Sequence, residues 1–175
     1  MPCFIKPNSS GSSYGIVKAY EKKDLEDAIH IALKEDNQLI IESELEGIEI
    51  SVGAYTVEDE VKVLPFTEII SENDFFDYDA KYNGKSEEIT PARLDEDINN
   101  KVNTIVKKLY KKLKLKGVCR SEFIIVDGIP HLLEVNTIPG LTAASLIPQQ
   151  VKAAGIELTD FFESLLSEAM KKPLI

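Results

Sequence analysis

Between residues 118 and 136 the chain alternates with a period of two, breaks at Asp127-Gly128, and resumes. Asp-Gly between two β-rich runs specifies a tight hairpin turn, because both residues accept a positive φ. The strands Val118–Val126 and Pro130–Asn136 are therefore expected to pair antiparallel. Alternation puts Arg120 and Glu122 on one face of the first strand, and Glu134 and Asn136 on one face of the second. In one register Glu122 faces Glu134 and Arg120 faces Asn136; a slip of one residue sends one pair to the opposite face. Like charges placed opposite each other destabilise a sheet. Two carboxylates and an amide oxygen are, however, hard ligands suited to Mg²⁺ carrying nucleotide phosphates. The competing reading is a solvated sheet face on which Arg120 neutralises a glutamate.

The rest of the chain reads as an α/β (α+β) arrangement. Phe4-Ile5-Lys6, Ile16–Tyr20 and Leu39–Glu42 are expected strands. Leu25, Ala28, Ile29, Ala32 and Leu33 recur at helical spacing between them, so residues 1–45 form a small β-β-α-β lobe. Residues 46–175 form a larger lobe, an antiparallel sheet with flanking helices. Ile48, Ile50 and Val52 start a half-buried strand there, and Glu58-Asp59-Glu60 turns into Val61–Leu64. A polar, aromatic loop runs from Ser71 to about Pro91. One helical face carries Ile98, Val102, Ile105, Val106, Leu109 and Leu113, and a closing helix carries Leu158, Phe161, Phe162, Leu165, Leu166 and Ala169.

Composition excludes several classes. The 175 residues include 20 Lys+Arg and 30 Asp+Glu, a formal net charge of −10, which argues against a nucleic-acid backbone as partner. No apolar run reaches the roughly 18 residues of a membrane span, so no membrane partner is expected. Cys3 and Cys119 lack disulfide or metal-ligand spacing, which suits a reducing, cytoplasmic setting. Cys119 and His131 have no third orienting group, and no Gly-x-Ser-x-Gly elbow occurs. The loop Ser9–Gly15 can turn backbone N–H groups toward an anion beside Lys6, as the tip of a hairpin over phosphates, or it is a plain loop. Phe75–Tyr82 reads as a lid segment or as aromatics tucked into the core. Glu42 and Glu49 bracket Gly47, where a cleft could take a ribose, though a solvated glutamate is the simpler reading.

Taken together, these segments resemble the ATP-grasp ligases, the D-alanine–D-alanine ligase family most closely. The resemblance rests on Phe4-Ile5-Lys6-Pro7-Asn8 with Gly11-Ser12-Ser13, on Glu46–Val52, on Phe76–Tyr82 with Ile89–Ala92, and on Leu133–Thr142 followed by Ser145-Leu146. It covers nearly the whole chain. It implies an ATP-grasp fold and ATP-dependent joining of two D-alanines through an acyl phosphate, for peptidoglycan precursors. It also implies ATP and two Mg²⁺ ions, with Mn²⁺ as a substitute, and a homodimeric parent enzyme. Lys6, Lys81, Ser12 and Ser13 would meet the phosphates, and Glu42, Leu45 and Glu49 the nucleoside. Glu122, Glu134 and Asn136 would hold the metal. Arg120 and the Gly140 N–H would stabilise the oxyanion, Ser145 and the Leu146 N–H would take the second D-alanine's carboxylate, and Tyr82 would close toward Ser12.

Two departures stand out. Glu122 replaces the family's usual aspartate, adding a methylene. The family's N-terminal domain and the first part of its central domain are absent, so the chain is expected to be a C-terminal portion with little turnover of its own. The alternatives are another ATP-grasp carboxylate–amine ligase and a non-catalytic nucleotide-binding module.

Overall fold

The computed structural model describes residues 1–11, 13–71 and 86–171. Two compact units emerge, one built on Met1–Glu46 and one on Gly47–Ile70 with Glu88–Ile175.

In the first unit β1 (Cys3–Pro7) is central, flanked antiparallel by β2 (Val17–Ala19) and β3 (Leu39–Ser43). Alternation splits β1 cleanly. Cys3 and Ile5 point with Ala19 into a core closed by Ala28 and Ala32 of helix α1 (Leu25–Ala32). Phe4 pairs across both neighbours, with Lys18 and with Glu42. The chain enters α1 through a 3-10 turn, Lys22–Asp24, where the Asp24 carboxylate accepts from the N–H groups of Tyr20 and Glu21 at 3.1 and 2.8 Å. Leu33, expected on the apolar face, is exposed because α1 ends one residue earlier.

In the second unit the strands are β4 (Ile48–Val57), β5 (Glu60–Val63), β6 (Thr67–Ser71), β7 (Ser86–Ile89), β8 (Cys119–Val126) and β9 (Ile129–Asn136). They form a sheet of order β7-β6-β4-β8-β9, with β5 also paired to β4. Ile50, Val52 and Ala54 of β4 and Cys119, Phe123 and Ile125 of β8 face helix α2 (Glu96–Lys112), which inserts Val102, Val106 and Tyr110. On the opposite face Tyr55 and Leu64 meet Ile147 and Val151 of α3 (Leu146–Ala153) and Phe161 of α4 (Leu158–Lys171). Tyr55 and Phe161 stack edge to face at 4.9 Å. Of the apolar residues expected to line α4, Leu166 stays 64% exposed, because the helix presents only its Phe161 and Leu165 side to that core.

The sequence did not disclose β6, β7 or α3. Residues 66–69 are buried on both faces, so β6 shows no alternation. β7 lies inside the expected Ser71–Pro91 loop, at the sheet edge. Pro148 reads as a helix breaker, yet it sits in the first turn of α3, where an N–H has no intrahelical partner to lose.

Glu68 of β6 is buried and takes a forked contact from Arg93, Nε at 2.9 Å and an NH2 nitrogen at 2.7 Å, with the Arg93 N–H at 3.2 Å. The Arg93 guanidinium holds this carboxyl below the ordinary glutamate value against the opposing effect of burial. A depressed carboxyl contributes stability that is present above its unfolded value and lost as pH falls through its native value. Glu68→Gln should lower stability near pH 7 by about 1–2 kcal/mol and flatten the acid limb of a urea-midpoint-versus-pH curve. An unchanged acid limb would count against this assignment.

Candidate functional site

The β8–β9 hairpin turns at Asp127 and Gly128 with φ of 48° and 74°, as Asp-Gly requires. The turn pairs Val126 with Ile129, and a bulge at Leu133 then shifts the ladder by one residue, so that the pairs beyond it are Glu122↔Glu134, Ser121↔Val135 and Arg120↔Asn136. On its other edge β8 pairs Ser51 with Glu122 and Gly53 with Arg120. Two rows thus cross one sheet face, Thr67–Ser51–Glu122–Glu134 and Gly53–Arg120–Asn136, and Glu49 of β4 lies on the same face one row away. Directly paired residues lie about 4.5–5.5 Å apart between Cα atoms. The strands, not flexible loops, therefore bring Glu122, Glu134, Arg120 and Asn136 together.

Glu122 is 3% exposed, and a buried carboxylate needs compensation. Arg120 supplies it from the same strand and face, with Nε at 3.1 Å and an NH2 nitrogen at 2.7 Å. Both N–H groups donate to Oε1. The Asn136 Oδ1 accepts from the Ile138 N–H at 3.0 Å, which starts the loop to α3 with a side-chain turn. A carbonyl oxygen has a second lone pair, so this does not exhaust it. Among the described residues no three His, Cys, Asp or Glu side chains gather into a metal cluster. The face instead offers two carboxylates and one amide, an oxygen set that fits Mg²⁺ only if ligand and water oxygens complete the shell.

The loop after Asn136 reaches α3. The Ser145 Oγ meets the Thr142 Oγ1 at 2.8 Å and accepts from the Thr142 N–H at 3.2 Å. A Cβ on Gly140 would lie 2.8 Å from the Ser145 Oγ, so a larger residue there would displace the Ser145 hydroxyl. Leu146 opens the helix. Behind it Gln150 is fully buried and hydrogen-bonds the sheet at three points: its Oε1 accepts from the Gly53 N–H at 2.9 Å, and its Nε2 donates to the Ser51 carbonyl at 2.9 Å and to the Thr67 Oγ1 at 3.0 Å.

In the first unit Lys6 forms an ion pair with Glu42, and Leu45 is half-buried just beyond β3. Lys18 and Glu44 pair at 2.6 Å, and the Lys18 ammonium lies 5.7 Å from the Phe4 ring centre and 5.0 Å from that of Tyr20. The β1–β2 loop is anchored at its base, where Asp36 accepts from the Ser9 N–H at 2.7 Å and the Gln38 N–H at 3.1 Å. These bonds hold the Asp36 carboxyl below its ordinary value. Ser13 near the tip is left-handed, with φ of 58°. Ser12, Lys81, Tyr82 and the rest of the Phe75–Tyr82 segment lie outside the described residues.

Cys–His chemistry finds no support. Burial pushes the Cys119 thiol up to about 11. Cys119 belongs to the α2-side core, whereas His131 pairs with Ile124 five residues along β8, about 17 Å away at strand rise. Sequence reasoning missed Gln150 and the Lys18–Glu44 pair. Gln150 had a signal: it falls in the apolar helical series of Leu146, Ile147 and Val151.

The family model described as D-ala D-ala ligase C-terminus matches residues 1–167. A D-alanine–D-alanine ligase of Flavobacterium johnsoniae is 58% identical over 166 residues, 95% of this chain and 51% of that protein. One of Christiangramia forsetii is 49% identical over 172 residues, 98% of this chain and 53% of its own. Among solved structures, VanG D-Ala:D-Ser ligase from Enterococcus faecalis aligns with a TM-score of 0.83 at 32% identity, over 95% of this chain and 49% of that one. D-alanine–D-alanine ligase from Bacillus anthracis complexed with ATP aligns at 0.80 and 29% identity, over 98% and 53%. The chain spans about half the length of the curated relatives it matches.

The buried pair gives a stability test of the site's electrostatics. Arg120→Met strands the Glu122 carboxylate and should cost about 3 kcal/mol in chemical denaturation, whereas Arg120→Met combined with Glu122→Leu should recover most of it. A double variant no more stable than the single one would contradict this.

Proposed function

The chain belongs to the D-ala D-ala ligase C-terminus family, with its ATP-grasp fold, and from that premise we propose that it carries the nucleotide, metal and acceptor half of a D-alanine–D-alanine ligase. The observation that carries this reading is the row in which Glu122 and Glu134 oppose each other with Arg120 and Asn136 alongside. A sheet tolerates opposed carboxylates when cations answer them.

In this reading the carboxylate of one D-alanine takes the γ-phosphoryl group of ATP, the amine of a second D-alanine attacks the acyl phosphate, and phosphate leaves. No protein nucleophile is required, so the chain's contribution is positioning and charge neutralisation. Lys6 and Lys81, with the N–H groups around Ser12 and Ser13, hold the phosphates. Glu42, Leu45 and Glu49 flank the adenine and ribose. Glu122, Glu134 and Asn136 would hold two Mg²⁺ ions, which when bound offset the phosphate charge. Glu122 fits this role because Arg120 engages Oε1 alone, leaving Oε2 for a metal. Arg120 and the Gly140 N–H face the developing oxyanion. Ser145 and the Leu146 N–H receive the acceptor carboxylate, and Tyr82 closes toward Ser12.

The curated relatives named above support D-alanine as acceptor, while the structural likeness to a D-Ala:D-Ser ligase keeps the acceptor side chain a matter for product analysis. The full-length enzyme should convert D-alanine and ATP to dipeptide, ADP and phosphate. Glu134→Gln should lower kcat by about a hundredfold or more. Chromatography of products from D-alanine, D-serine and D-lactate decides the acceptor. The 175-residue chain alone should give no measurable turnover. Dipeptide formed at comparable rate by that chain, or an active Glu134→Gln, would overturn the assignment.

A further inference from the structure

We propose that Gln150 is the positioning residue that sets the acceptor end of the site, an inference that rests on the reading of Ser145 and the Leu146 N–H as the acceptor-carboxylate contacts. The apolar contacts of α3, through Ile147 and Val151, are non-directional and tolerate a helix sliding along its axis. Hydrogen bonds do not, because their distance and angle windows are narrow. Gln150 makes three of them from one fully buried amide, to Gly53, Ser51 and Thr67.

The residues it touches give the clamp its meaning. Gly53 is the strand partner of Arg120, and Ser51 the strand partner of Glu122. One side chain thus fixes α3 against the two backbone positions that abut the oxyanion and metal residues. Ser145 is the residue just before α3, and its carbonyl accepts from the Gln149 N–H at 3.4 Å, so its placement follows that of the helix Gln150 holds. Gly53 is a condition of this arrangement: a Cβ there would lie 2.6 Å from the Gln150 Oε1 and 2.7 Å from the Ile147 Cδ1. Among the described residues the buried Ser51 Oγ has no hydrogen-bond partner, and the Ser51 carbonyl is that residue's contact to the clamp. Thr67 is held in turn by the Thr90 Oγ1 at 2.7 Å.

A displacement of about 1 Å at a reacting group costs on the order of a hundredfold in rate, so small shifts of α3 are felt at the acceptor. In the full-length enzyme, Gln150→Leu should raise the Michaelis constant for the second D-alanine by about tenfold or more, leaving those for ATP and the first D-alanine within about twofold. Gln150→Glu, which keeps an acceptor for the Gly53 N–H, should fall between the two. An unchanged second constant, or equal rises in all three, would overturn the proposal. If Gln150→Leu does not fold by circular dichroism, Thr67→Val, which removes one of the three bonds, decides on the same constants. If the wild type makes no dipeptide, the reaction reading fails on its own. The clamp is then judged by amide exchange across Leu146–Gln150, faster in Thr67→Val if it holds and unchanged if it does not.

Discussion

A carboxylate with 3% of its surface exposed survives in a folded sheet only with a cation at its side, and for Glu122 that cation is Arg120, two residues away on the same strand. The pair sits in β8, between β4 and β9, so its placement is shared by every element those strands hold. Register does the rest. Asp127-Gly128 sets Val126 opposite Ile129, and the bulge at Leu133 then brings Glu134 opposite Glu122 and Asn136 opposite Arg120.

The two faces of the larger sheet are built by different physics. Behind it, Phe123, Ile125, Val102 and Val106 make a dry core whose strength is area removed from water. In front, α3 is pinned through a buried amide, which specifies position more sharply than apolar contact does. An apolar core behind and a polar anchor in front hold between them the sheet that carries the charged row.

Local chemistry made some of this legible in the sequence. The Asp-Gly turn, the one-sided charges of the hairpin and the helical stripe of α2 depend on neighbours a few residues away. The register at Glu122 was not legible: the turn pairs Val126 with Ile129, and a ladder continued from there without a break would put Leu133 opposite Glu122. Between Phe123 and Glu122 the pairing slips by one, because Leu133 forms a bulge, and a bulge leaves no mark in the alternation of the opposite strand. β6 was hidden by burial on both faces, and α3 by a proline that its first turn accommodates. Gln150 was visible only as a misfit, a polar residue in an apolar series whose partners lie more than 80 positions away. The residues proposed for the site on family resemblance, Ser12, Lys81 and Tyr82 above all, carry no local pattern that marks them in the sequence.

Isothermal titration of the full-length protein with a non-hydrolysable ATP analogue, with and without Mg²⁺, in wild type and Glu134→Gln, goes directly to the central claim. The account predicts binding that strengthens with Mg²⁺ and loses that strengthening in the variant. Binding indifferent to Mg²⁺, or equally metal-dependent in Glu134→Gln, would contradict it, and would leave the opposed glutamates as a feature of the sheet rather than of its chemistry.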